Sequence, residues 1–159
     1  MVHSHRTCDA GRLAGMSIAI KTLKMHPAAQ VPRYAHVGPY GDLAADLYAV
    51  SEWKLEPGET VAIPTGIALG LPAGYGALVE DRSGMALRGL TTLAGVIDPG
   101  YRGEIKVVLT NLAATSHTIF AGDRIAQLRI VQKIDAEFEL VDTLDETPRS
   151  TDGFGSTGS

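Results

Sequence analysis

Short apolar runs, each closed by glycine or proline, leave this chain little room for helices. Eighteen glycines and eight prolines are spread over 159 residues. Pro57-Gly58, Pro64, Pro72, Pro99-Gly100 and Gly122-Asp123 interrupt the apolar pattern every few residues. A helix needs an apolar stripe sustained over ten or more residues, whereas runs of four to eight suit strands. The pattern therefore predicts strands near 17–24, 47–50, 53–55, 60–63, 66–71, 76–80, 90–97, 103–112, 117–120, 124–134 and 137–141. Many short strands at this spacing indicate an all-β sandwich or barrel. The single helical candidate is Ser83–Arg88, where Met85 and Leu87 are expected to be core residues. No internal repeat is evident.

The ends differ from this middle. Residues 1–15 are polar and aperiodic, which predicts a disordered leader and makes Met16 a candidate start. Residues 142–159 are rich in Gly, Ser and Thr and too poor in apolar side chains to bury themselves, which predicts a flexible C-terminal arm. Between them, residues 16–141 suffice for one domain with a real core. There is no apolar stretch long enough to span a membrane and no signal-peptide pattern at the N-terminus. The lone cysteine, Cys8, forms no internal disulfide, in keeping with a reducing, cytoplasmic setting. A net charge of −4 disfavours a nucleic-acid surface held by bulk electrostatics. A small anionic ligand, which needs only local donors, stays open.

Five segments carry chemistry. Residues 93–105 read L-A-G-V-I-D-P-G-Y-R-G-E-I, a predicted β-hairpin whose polar tip holds Asp98 and, three residues on, Tyr101. Residues 80–89 put Arg82, Ser83 and Gly84 where a strand ends and a helical turn begins, a cradle of backbone N–H groups, hydroxyl and guanidinium for an anion. Residues 41–49 place Asp46 at the mouth of a strand. Residues 122–128 run from a turn into a strand whose alternation would put Gln127 on the same face as Ile125, and a buried amide there needs partners. Residues 149–158, R-S-T-D-G-F-G-S-T-G, combine glycines that let the backbone wrap an anion with hydroxyls and the flat ring of Phe154. Each segment alone is weak, since turns, Arg-Ser-Gly triplets and Gly/Ser tails are common.

Taken together and in this order, the five resemble the motifs of the trimeric dUTP diphosphatase (dUTPase) family: Ala-Gly-x-Asp-Leu-x-Ala, Pro-Arg-Ser-Gly-x-Ala, Gly-x-Ile-Asp-x-x-Tyr-Arg-Gly, Gly-Asp-Arg-x-Ala-Gln-Leu and Arg-x-x-x-Gly-Phe-Gly-Ser-Thr-Gly. Residues 45–49, 82–86, 95–104, 122–128 and 149–158 follow them, so the resemblance covers all but the leader. Two departures stand out. Leu43-Ala44 replaces the usual Ala-Gly, and Asp81 stands where the family often has Pro; Asp81 is expected to face an interface or a cation.

The resemblance implies a jelly-roll-like β-barrel or sandwich with one short helix and a flexible arm. It implies hydrolysis of dUTP to dUMP and pyrophosphate, keeping uracil out of DNA and supplying dUMP for thymidylate synthesis. It makes Asp98 the base for a water attacking the α-phosphorus, with Gln127 holding that water. Arg82, Ser83 and Gly84 would bind the phosphate chain, and main-chain groups of Ala94, Gly95, Val96 and Ile97 would read uracil. Tyr101 would lie under the deoxyribose. Phe154 would stack on the base, while Arg149, Gly155, Ser156 and Thr157 close over the phosphates. Mg²⁺ would sit mainly on the triphosphate, touching Asp46 only through water. No carboxylate or histidine cluster has metal-ligand spacing, and His3, His5, His26, His36 and His117 read as surface or structural residues. The resemblance also implies a homotrimer with shared sites. A dCTP deaminase of the same fold is the nearest rival, but it carries Arg-Ser-Ser in place of Arg82-Ser83-Gly84. A dUTPase-like binding or regulatory module is the other alternative.

Overall fold

The computed structural model describes residues 17–147. Ten strands and one helical turn form in the order β1 (Lys21–Lys24), β2 (Ala45–Tyr48), β3 (Trp53–Leu55), β4 (Thr60–Gly70), β5 (Tyr75–Glu80), α1 (Ser83–Ala86), β6 (Leu90–Leu93), β7 (Val96–Ile97), β8 (Glu104–Asn111), β9 (His117–Ile119) and β10 (Arg124–Gln132). They build a sheet ordered β1-β4-β8-β6, a second ordered β2-β10-β5-β7, and a two-stranded ribbon, β3-β9. The result is nearly all-β, as the punctuated apolar pattern predicts, and jelly-roll-like, as the family resemblance implies.

Alternation along the strands builds the core. On β8, Ile105, Val107 and Leu109 are fully buried and join Ile63, Ile67, Leu47, Leu55 and Ile125 in one apolar cluster. Glu104, Lys106 and Val108 fall on the opposite face of β8, where they line a surface cleft.

Several expectations are corrected. Pro64 does not split residues 60–71 into two strands; β4 runs through it, and the register against β8 shifts between Pro64 and Ala68 instead. Pro64 stays in register with Lys106, and the bulge begins directly after it. At its centre Gly66 adopts φ +67°, and a Cβ there would meet the side chains of His26, Ala29 and Val50 at 2.8–2.9 Å. The predicted strand 90–97 is broken at Ala94 (φ +60°) and Gly95 (φ +109°), which carry the chain from one sheet to the other. β6 pairs with β8, Leu93 facing Val108, while β7 pairs with β5. The hairpin at 93–105 is thus a wide loop whose tip detours to the second sheet. Residues 137–141 form no strand; the chain from 133 to 147 has no regular structure, with Ile134, Phe138, Leu140 and Leu144 almost fully exposed. Leu87 is also exposed rather than core, although Met85 is buried as expected. The remaining strands agree to within a few residues at either end. Among the described residues no helix is long and apolar enough to cross a membrane.

Candidate active site

The anion cradle forms where β5 ends. Arg82 has extended backbone (φ −92°, ψ 130°) and begins the α1 turn. The amides of Met85 and Ala86 bond to the Arg82 carbonyl, whereas the exposed Ser83 and Gly84 amides, one residue earlier, have no such partner. A Cβ on Gly84 would meet nothing within 4 Å, so its main chain is open to close approach. These residues line a cleft of about 760 Å³ with Asp46, Arg124, Gln127 and the loop residues His36, Asp42, Leu43 and Ala44.

Asp46 lies within β2 rather than at its mouth, and it is mostly buried. Its Oδ1 accepts from Arg82 Nε at 2.8 Å, and its Oδ2 lies 3.4 Å from Arg124 Nη1. Arg82 Nη1 also donates to the Arg124 carbonyl at 3.2 Å. The guanidinium is therefore held at Nε and Nη1, and no described residue bonds its Nη2, which is free for an anion.

Each carboxylate in this cleft is compensated. Asp42 accepts from the His36 amide at 2.8 Å and lies 3.1 Å from the His36 ring, bonds that lower its pKa, the amide contributing most. Glu80 forms a two-pronged pair with Arg129 at 2.9 and 2.5 Å, which lowers its pKa. Asp81 pairs with two threonines rather than with a described cation. Its carboxylate takes the hydroxyls of Thr91 and Thr92, both at 2.7 Å, and the Thr92 amide at 2.5 Å. Burial pushes its pKa up, but these bonds, the Thr92 amide foremost, outweigh that and leave it lowered. With its carboxylates satisfied inside the protein, the cleft can take an anion despite holding four of them.

Gln127 is turned into this cleft by another departure from strict alternation. The register of β10 against β2 shifts between Arg124 and Ala126, so Ile125 and Ala126 are both buried. Gln127 consequently does not share Ile125's face. Its Nε2 donates to the Asp81 carbonyl at 2.7 Å. Because that partner only accepts, the carboxamide orientation is settled and Oε1 is the free end.

Ala94, Gly95, Val96, Ile97, Asp98 and Tyr101 line a separate cleft of about 280 Å³ with Glu104, Lys106 and Val108. β7 is the edge strand of its sheet, so the main-chain groups on its outer side have no ladder partner. Asp98 is exposed, and its carboxylate bonds to no described residue. Its carbonyl accepts the Tyr101 amide at 3.0 Å, and Arg102 Nη1 clamps the same turn through the carbonyls of Pro99 (2.7 Å) and Tyr101 (2.8 Å). Tyr101 Oη donates to the Glu104 carbonyl at 3.0 Å.

Within one chain the predicted residues thus assemble as two groups: Asp46, Arg82, Ser83, Gly84 and Gln127 in one cleft, and residues 94–98 with Tyr101 in the other. The clefts share no lining residue, and the chain does not bring Asp98 to Gln127. Arg149, Phe154, Gly155, Ser156 and Thr157 lie outside the described residues, as do the leader and Met16. Replacing Ala-Gly by Leu43-Ala44 has no backbone penalty, because Ala94 is the only non-glycine with positive φ among the described residues. The sequence reading missed the bracing roles of Arg102, Arg124 and Asp81. Arg102 and Arg124 carried a signal, as motif residues of Tyr-Arg-Gly and Gly-Asp-Arg, and Asp81 showed only as a departure from the family pattern.

An all-β sandwich with a guanidinium-lined anion cleft and a turn presenting an unpaired carboxylate is laid out to handle a phosphorylated ligand. The chain belongs to the dUTPase family, whose model matches residues 34–158. It is similar to the deoxyuridine 5'-triphosphate nucleotidohydrolase of Solibacter usitatus, 44% identical over 142 residues, which are 87% of this chain and 95% of that protein. The enzyme of that name from Bifidobacterium longum subsp. infantis is 49% identical over 137 residues, 84% of each. Among solved structures, the Staphylococcus bacteriophage 80alpha dUTPase with dUpNHpp superposes with a TM-score of 0.77 at 26% identity, covering 90% of this chain and all of that one. A mutant dUTPase of phage phi11 of S. aureus, which coordinates a structural Mg(II) ion, shares the fold with a TM-score of 0.72 at 24% identity, covering 81% of this chain and 100% of its own.

Proposed function

We propose that this protein is a hydrolase that converts dUTP and water to dUMP and pyrophosphate, and that it works as a homotrimer whose sites each join clefts from different copies. The observation that carries this reading is the division of the family's motif residues between two clefts: one fitted to a phosphate chain, the other holding a free carboxylate beside an unpaired strand edge. Membership of the dUTPase family and the names of the relatives select dUTP as the substrate.

In this mechanism Asp98 accepts a proton from a water as the water oxygen attacks the α-phosphorus. The bond from that phosphorus to the bridging oxygen breaks, and pyrophosphate leaves. A positioned carboxylate of this kind contributes about 10²–10⁴-fold. Gln127 Oε1 accepts the water's second hydrogen, while the remaining Nε2 hydrogen is available to an α-phosphate oxygen. Arg82 Nη2 and the Ser83 and Gly84 amides hold the chain of phosphates, the kind of fixed electrostatic stabilisation on which phosphoryl transfer depends. The outer edge of β7 offers donors and acceptors to uracil, and Tyr101 packs under the sugar, where a ribose 2′-hydroxyl would collide. The arm, residues 142–159, would close with Phe154 on the base and Arg149, Gly155, Ser156 and Thr157 on the distal phosphates.

Mg²⁺ on the triphosphate would neutralise charge on the leaving group. The donor set fits that arrangement. Among the described residues no cluster of His, Cys, Asp or Glu could cage a metal, and Asp46 already holds two arginines, leaving its looser Oδ2 for a metal-bound water. The row of exposed apolar side chains along 134–144 supports assembly, since such a run needs cover from another copy. A cytoplasmic enzyme comprising a 16–141 domain and its arm accords with these features.

Incubation with dUTP, dTTP, dCTP and UTP, with and without Mg²⁺, tests the reading. Pyrophosphate and dUMP should form from dUTP far faster than the corresponding products form from the others, and the enzyme should have the mass of a trimer. Ammonia release from dCTP would reassign it to the deaminases, and tight dUTP binding without turnover to a binding module.

A further inference from the structure

We propose that Asp81 is a positioning residue that ties the phosphate cradle to the base-reading turn, and so sets how strictly this enzyme distinguishes uracil from its 5-methyl analogue. The inference rests on the reading of residues 94–97 as the base-contacting segment.

Asp81 immediately precedes Arg82, and its carbonyl holds Gln127 Nε2. Its side chain reaches the other way, to Thr91 and Thr92 on β6, in the other sheet. Two residues beyond Thr92 comes Ala94, the only described non-glycine residue in the left-handed region. On the far side of Ala94, the Gly95 carbonyl takes the Val79 amide at 2.8 Å. The strained residue is therefore pinned on both flanks to the end of β5, by Asp81 before it and by Val79 after it. A non-glycine residue holds φ +60° only where its surroundings over-determine it. A carboxylate accepting an amide and two hydroxyls does this in a way that the Pro often found here in the family, which has no side-chain acceptor, cannot.

The bond network predicts a change in selectivity rather than a uniform loss. If the Asp81 clamp is released, Ala94 can relax, the edge of β7 shifts, and room opens for a methyl group. One methyl in a fitted pocket corresponds to about 10–200-fold in kcat/KM, so the dUTP-to-dTTP ratio has about that far to fall.

The test compares Asp81→Ala, Asp81→Asn and Thr92→Val with wild type, measuring kcat and KM for dUTP and dTTP. Amide hydrogen exchange along 90–97 is followed in the same proteins. Asp81→Ala should lower the dUTP/dTTP ratio about tenfold or more and speed exchange at Thr92 and Val79, while the β2–β10 ladder stays protected. Asp81→Asn, which keeps a side-chain acceptor for the Thr92 amide, should restore most of the ratio. Thr92→Val should move it in the same direction as Asp81→Ala, by less. Rates falling in parallel for both substrates, or unchanged protection at Thr92 and Val79, would overturn the inference. Should wild type itself fail to prefer dUTP, the functional reading fails, while exchange still decides whether Asp81 pins the turn.

Discussion

Tyr101 reaches back to Glu104, its hydroxyl 3.0 Å from that residue's carbonyl oxygen, and it does so across a glycine. A Cβ on Gly103 would stand 2.5 Å from Tyr101 Oη and 2.7 Å from Cζ. The absent side chain is thus what lets the ring fold over its own strand. Glu104 is itself tied down, its Oε1 accepting the Gly66 amide at 2.9 Å in the β4 bulge. The ring proposed to check the sugar is thereby referenced to the core of the sandwich.

Gly103→Ala should therefore displace the Tyr101 ring while leaving the fold intact, because the atoms in the way are the movable end of a side chain. The kcat/KM ratio for dUTP over UTP should fall by about tenfold or more. Tyr101→Phe, which keeps the ring and loses one exposed hydrogen bond of about 1 kcal/mol, should change that ratio much less. Steady-state kinetics on the two nucleotides check both.

Asp98→Asn retains shape and removes the base. Its turn is held by the Tyr101 amide and by Arg102, neither of which uses the Asp98 carboxylate. Single-turnover rates should drop about 10²–10⁴-fold, with the Kd for dUpNHpp changed only a few-fold. A comparable loss of binding would mean that the carboxylate holds substrate rather than activating water.

Gly95→Ala should be severe. The new Cβ would lie 2.6 Å from the Val79 carbonyl oxygen, on backbone that cannot swing aside, at φ +109°. A loss of about 3 kcal/mol or more in denaturant unfolding is expected. Ala94→Gly is the contrasting case: it relieves the left-handed strain of about 1–2 kcal/mol and so should leave stability unchanged or raised.

How much of this was legible in the chain follows from what each feature depends on. The apolar runs between Gly and Pro reveal the strands because burial on one face imposes period two, as Ile105, Val107 and Leu109 show. The motif order reveals Arg82, Asp98 and Gln127. What escaped depends on pairing between distant strands. Nothing local says that residues 90–97 divide between two sheets, that the β10 bulge buries Ile125 beside Ala126, or that Asp81 finds Thr91 and Thr92. Residues 137–141 misled for a related reason: alternation there is genuine, but no strand among the described residues pairs with it.

The lowered pKa of Asp81 fixes the sign of one pH effect. A carboxyl whose pKa is lower folded than unfolded adds stability above its unfolded value and loses that contribution as pH falls through the folded one. The stability difference between wild type and Asp81→Asn should thus be constant from neutrality down to the ordinary aspartate range, near 3.8. It should shrink below that point, because the protonated acid loses acceptor capacity toward Thr91 and Thr92. Glu80, held below its usual range by Arg129, titrates in the same direction in both proteins and cancels in the comparison. Urea unfolding of the pair at steps from pH 7 to about pH 2.5 reads this directly. A gap that instead widened on acidification would mean that burial, not the threonine bonds, governs the Asp81 carboxyl.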